Sequence, residues 1–197
     1  MSAIKGMWLQ SNSSGYAQSY MIRNAKNCEY FLSDNPVTTG SGHFSGAGIK
    51  RLACFPNSTG TISLQNAIKT TIVACPYGNT AIGNNTFNGS GLQVFAIPDT
   101  VTTLGTQVFM NNTYLQKITI PSSITAINTS DFSGCSSLNN ITLPSTITSI
   151  AATSFQNCYG LSYILFKPTT PPTVANANAF TGIPTTCLIC IPVNRVT

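Results

Sequence analysis

Apolar residues recur in the same places in two consecutive stretches, LQKITIPSSITAINTSDFSGCSS from Leu115 to Ser137 and LNNITLPSTITSIAATSFQNCYG from Leu138 to Gly160, each 23 residues long. Leu115 answers to Leu138, Ile118 to Ile141, Ile120 to Leu143, Pro121 to Pro144, Ile124 to Ile147, Ile127 to Ile150, Phe132 to Phe155 and Cys135 to Cys158. Self-similarity at this period is the mark of a solenoid. The L-x-x-I-x-I-P alternation predicts a short strand with one buried face. Pro121 and Pro144 end it, because proline has no N–H to give to a ladder. Ile124 and Ile127, three apart, predict a tight turn or a short 3₁₀-like return, and Phe132 closes the unit from the far side of the coil. A unit this small cannot bury both its strand face and its phenylalanine alone. Stacked neighbours do so, with parallel strands about 4.8 Å apart.

The same pattern extends in both directions. Residues 92–114 form a further 23-residue rung, with Val94, Phe95, Ile97, Pro98 and Phe109 in the expected places. Before it, IKRLACFP set against KTTIVACP predicts rungs at 49–68 and 69–91, and Phe44-Ser45-Gly46 matches Phe87-Asn88-Gly89. After the two clear repeats, 161–186 forms a rung whose Pro171-Pro172 widens the return before Phe180, and Cys187 to Pro192 predicts a final strand. The solenoid thus occupies 31–192. Residues 1–30 fit the repeat poorly and are expected to be an N-terminal cap or attachment segment, and 193–197 a truncated or uncapped end.

The run I-T-I-P-S-S-I-T, followed by Asp131-Phe132-Ser133-Gly134-Cys135-Ser136-Ser137-Leu138, resembles the BspA-like leucine-rich repeats found in surface proteins of bacteria and of some parasitic protists. The resemblance implies a right-handed leucine-rich-repeat coil with one short parallel β-strand per rung of about 23 residues, mostly β and irregular, with little helix. It also implies a non-enzymatic module that adheres to a protein or cell-surface partner.

Composition narrows the function classes. Of 197 residues, 42% are hydrophobic, enough for a continuous core, while only nine are basic and four acidic. Ser, Thr and Asn supply the polarity instead. The net charge of +5 is spread without a basic run or an Arg/aromatic cluster, so no nucleic-acid partner is expected. No stretch approaches the ~18 apolar residues of a membrane span, and MSAIKGMWLQSNSSG lacks the apolar run of a signal peptide. The expected location is extracellular, on a cell surface or in a virion, without membrane insertion.

Chemistry-bearing residues are few. Of seven cysteines, Cys135 and Cys158 are equivalent, one rung apart; they read as small buried thiols filling a tight corner, with a disulfide as the alternative. Cys187 and Cys190 have C-x-x-C spacing within an apolar strand pattern and no histidine nearby, so neither a zinc site nor a redox pair is expected. His43, Glu29, Asp34, Asp99 and Asp131 are too scattered along a solenoid to converge. No enzyme activity, cofactor or metal is therefore expected. N-x-S/T sequons at Asn12, Asn57, Asn84, Asn88, Asn111, Asn128 and Asn140 follow from the composition.

The informative surface is the exposed side of the strands. Alternation places Arg51, Thr71, Val94, Lys117, Asn140 and Tyr163 in one column, and Ala53, Val73, Ala96, Thr119, Thr142 and Leu165 in a second. Arg51, Lys117, Asn140 and Tyr163 are the candidate partner-binding residues, for a protein or a cell-surface ligand, glycan included. The alternative function is a structural subunit of a virus or phage particle, a fibre, tail or capsid-decoration protein. That reading calls on self-assembly or neighbouring subunits through Trp8, Tyr16 and Tyr20.

Stacked phenylalanines and an exposed column give opposite expectations for substitution. Phe132→Ala or Phe155→Ala costs about 3–5 kcal/mol, read as a lowered unfolding midpoint, whereas Lys117→Ala leaves the midpoint nearly unchanged; unchanged midpoints in both phenylalanine variants would mean that the rings do not stack, and loss of folding in Lys117→Ala that the strand faces are assigned backwards.

Overall fold

The computed structural model describes residues 80–168 and 170–191, together with the backbone of four earlier strands, Gly6–Leu9, Tyr30–Ser33, Arg51–Cys54 and Ile72–Ala74. The chain winds as a β-solenoid whose paired strands are all parallel. Among the described residues there is no α-helix, and the one helical element is a 3₁₀ turn, Ala177–Phe180.

The main ladder runs in three parts. Gly6–Leu9, Tyr30–Ser33, Arg51–Cys54 and Ile72–Ala74 pair in that order. Val94–Ala96 pairs with Lys117–Thr119, and Asn140–Leu143, Tyr163–Phe166 and Leu188–Cys190 follow. The ladder therefore reaches into residues 1–30. Its register corrects both columns read from the sequence: Arg51 pairs with Ile72 and Ala53 with Ala74, not with Thr71 and Val73. That rung is one residue longer than the alignment of IKRLACFP with KTTIVACP supposed, and in a strand a one-residue shift exchanges the two faces. Val73 consequently pairs with Leu52.

The return after each proline is a second parallel ladder, not the isolated turn expected. Ala81–Ile82 pairs with Thr103–Leu104, while Ser149–Ile150 lies between Ala126–Ile127 and Thr173–Val174. Two-residue strands are too short to show a period of two in the sequence. In four of these strands one residue, Ile82, Leu104, Ile127 or Ile150, is buried in the core, while Thr173–Val174 is exposed.

Between the ladders lies the phenylalanine column. Phe87, Phe109, Phe132, Phe155 and Phe180 stack with ring centroids 5.4, 5.5, 5.5 and 5.6 Å apart and interplanar angles of 0–20°. Phe109, Phe132 and Phe155 have no exposed surface. Such spacing lies within the range at which aromatic pairs gain beyond area burial, and one ring per rung sets it.

Two residues after each phenylalanine, at Gly89, Asn111, Gly134, Asn157 and Gly182, the backbone has φ of 65°, 58°, 75°, 60° and 82°. Glycine and asparagine are the residues that tolerate this left-handed region best, and here they alternate rung by rung. The reason is steric. A Cβ on Gly134 would lie 2.6 Å from Asn111 Oδ1, and one on Gly182 would lie 2.7 Å from Asn157 Oδ1, so each asparagine occupies the space its neighbour's glycine leaves. The N–H groups of Gly89, Asn111, Gly134 and Asn157 donate to carbonyls of the next rung at 2.7–2.8 Å.

Gly134→Ala should therefore lower stability by the left-handed penalty of about 1–2 kcal/mol together with the cost of the clash. Adding Asn111→Gly should restore the clash component alone, so urea denaturation of the two single variants and the double variant should give clearly non-additive changes. Additive changes would mean that Asn111 does not fill the space over Gly134.

Candidate functional site

Strand alternation divides the main ladder into a buried and an outward set. Phe95, Ile118, Ile141 and Ile164 are buried, as are Ile97, Ile120, Leu143 and Phe166. Between them, Val94, Lys117, Asn140, Tyr163 and Leu188 form one outward column, and Ala96, Thr119, Thr142, Leu165 and Cys190 form the other. Of the candidate residues, Lys117, Asn140 and Tyr163 thus fall in one column on successive rungs. Lys117 is exposed, Asn140 half-buried and Tyr163 exposed over 38% of its surface. The backbone of Arg51 stands between Tyr30 and Ile72 in the earlier part of the ladder. Trp8 lies in the Gly6–Leu9 strand opposite Leu32, while Tyr16, Tyr20, His43, Glu29 and Asp34 lie outside the described residues.

Leu188 belongs to the same column and was not picked out from the sequence. It follows Tyr163 by 25 residues, because Pro171-Pro172 lengthens that rung, and a fixed period of 23 passes it by. With it, the face changes character along its length. The rungs of Lys117 and Asn140 present Lys, Thr, Asn and Thr, whereas the last two present Tyr163, Leu165, Leu188 and Cys190.

Behind the face, polar side chains bind rung to rung. Asn112 Nδ2 donates to the Phe87 carbonyl at 2.6 Å, Cys135 Sγ to that of Phe109 at 3.1 Å and Cys158 Sγ to that of Phe132 at 3.0 Å. The position three after the phenylalanine thus calls for a compact donor, and thiol and amide serve alike. Ser90 in turn donates to Asn112 Oδ1. Cys135 and Cys158 are free and buried, in line with the thiol reading. Burial raises both thiols, that of Cys158 to about 12, so neither forms the thiolate that nucleophilic chemistry needs. Cys187 and Cys190 are also free.

Hydroxyls make a parallel set of bonds. Ser123 donates to the Val101 carbonyl at 2.6 Å and Thr146 to that of Ile124 at 2.7 Å, each reaching back 22 residues. Thr100, the equivalent residue one rung earlier, has a buried Oγ1 without a partner among the described residues. The residue 22 before it, Gly78, lies outside them.

Asp131 is the buried carboxylate of this interior, with no exposed surface. Its Oδ2 accepts from the Asn128 N–H at 2.7 Å and its Oδ1 from the Val108 N–H at 3.3 Å, which ties one rung to the preceding one. Burial outweighs these two donors and raises its pKa to about 7. Among the described residues, no three of His, Cys, Asp and Glu are grouped so as to hold a metal ion. None of the described helices is long and apolar enough to cross a membrane.

Known proteins supply a comparison for this architecture. The family model for the BspA type leucine rich repeat region matches residues 57–187 in six copies. A leucine rich cell surface protein from Faecalibacterium prausnitzii has a similar solved structure, with 23% identity and a TM-score of 0.58 over 89% of this chain and 56% of its own. A leucine rich repeat protein of T. pallidum is similar at 20% identity and a TM-score of 0.51, over 67% of this chain and 59% of its own. The chain therefore spans a little over half the length of these two neighbours. No curated protein sequence matches it.

The buried carboxylate fixes a direction for the pH dependence of stability. With a folded pKa of about 7 above an ordinary value of 3.8, the folded state holds the proton more tightly than the unfolded one. Stability is then greatest below about pH 4 as far as this group is concerned, and falls as pH rises towards 7. Asp131→Asn should flatten that slope in thermal melts between pH 4 and pH 8. An unchanged slope would assign the dependence to other groups.

Proposed function

The chain belongs to the BspA-type leucine-rich repeat family, and from that premise we propose that it is a non-enzymatic recognition module that adheres to a protein or cell-surface partner through its strand face. One observation carries this reading. The main ladder holds Val94, Lys117, Asn140, Tyr163 and Leu188 outward on successive parallel strands, at a spacing of about 4.8 Å. A flat row of diverse side chains on a backbone already committed to ladder bonds can be varied for recognition without disturbing the fold. Among the described residues the interior offers no comparable resource for chemistry: Cys135 and Cys158 are held protonated, and Asp131 is sealed between rungs. Surface display is the setting that suits such a module, in keeping with its family.

Binding of labelled chain to cells or matrix from its native setting tests the proposal. Asn140→Glu, on the strand face, should reduce binding at least tenfold. Thr125→Glu, on an exposed residue beside the second ladder, should leave it unchanged. Equal loss from both, or loss only from the second, would remove the strand face as the binding surface.

A further inference from the structure

The outward columns are unequal in a way that names a partner. We infer that the last two rungs of the strand face dock an acidic protein segment carrying a bulky apolar side chain; this rests on the recognition reading above and specifies where and what the face binds. Tyr163 pairs with Leu188 and Leu165 with Cys190, so four largely apolar side chains form a two-by-two patch on adjacent strands. Tyr163 and Leu188 are exposed by 38% and 66%. The rungs of Lys117 and Asn140 fill the same positions with hydrophilic side chains, which shows that the fold does not require apolar residues there. An exposed tyrosine beside an exposed leucine is the composition of an anchoring pocket for a partner's large side chain.

The charge around the patch selects the partner. Lys117 stands in the same column two rungs before Tyr163, and Lys167 is exposed two residues beyond Leu165. Among the described residues the carboxylates are Asp99, exposed on the turn three rungs before Tyr163, and Asp131, which is fully buried. Among the described residues, nothing acidic at the patch offsets the two lysines. An acidic segment would be drawn in by both and held by the apolar contact, with charge governing encounter and the apolar anchor governing residence.

Selection from a phage-displayed library of random 12-residue peptides against the whole chain tests this. Enriched peptides should combine Asp or Glu with Leu, Phe or Trp. Their affinity should fall at least tenfold in Tyr163→Asp and Leu188→Asp, should fall severalfold in the Lys117→Glu/Lys167→Glu pair, and should weaken with added salt. Thermal melts of the variants confirm that they fold. Neutral or basic peptides that still depend on Tyr163 and Leu188 would overturn the acidic partner while leaving recognition by the strand face standing. Peptides indifferent to all four substitutions would overturn both, and failure to enrich any peptide would overturn the docking patch.

Discussion

No rung of this molecule is stable by itself, and the dependence of each on its neighbours governs everything else about it. A coil of about 23 residues exposes a strand edge, a second short strand edge and one face of a phenylalanine on each side, and only another coil of the same shape covers all three. The consequence is visible in the middle of the stack. Ile164, paired with Ile141 on one side and Ile189 on the other, has no exposed surface. Ile150, between Ile127 and Val174 in the second ladder, is buried in the same way.

The same dependence explains the chain's unusual polarity. A solenoid interior leaves carbonyls at every turn that ladder bonds do not reach, and each needs a donor from the adjoining rung. Short neutral side chains meet that need at little desolvation cost. Ser123, Thr146, Asn112, Cys135 and Cys158 all donate to a carbonyl of the preceding rung. Charged side chains have no comparable place inside, and Asp131 shows why: two backbone donors do not offset its burial, and its pKa rises to about 7. Scarcity of charge and abundance of Ser, Thr and Asn are therefore requirements of stacking as much as features of the surface.

The strand face is released from these demands. Its backbone is committed to the ladder, so its side chains are free to differ, and they do, from Lys117 and Asn140 to Tyr163 and Leu188. In a family built on a repeated frame, such unrepeated positions are where individual recognition can reside. The interior strand positions stay apolar from rung to rung, while the outer ones change chemistry.

The sequence by itself determined the repeat, the buried strand positions, the proline stops and the phenylalanine column, because each answers to a local requirement renewed every 23 residues. It also placed Lys117, Asn140 and Tyr163 in one outward column, since strand alternation is a local rule. The tertiary structure alone decided three other matters. The pairing of Arg51 with Ile72 and of Tyr163 with Leu188 depends on rung lengths that depart from the period, and the way a loop takes up an extra residue is set by the neighbour it packs on. The second ladder consists of two-residue strands, whose bonds exist only between rungs. The alternation of glycine with asparagine after the phenylalanine has its meaning only across the stack, where the side chain of Asn111 lies over the backbone of Gly134. Contacts within a rung are written in its own residues; contacts between rungs appear only once the coil is closed and stacked.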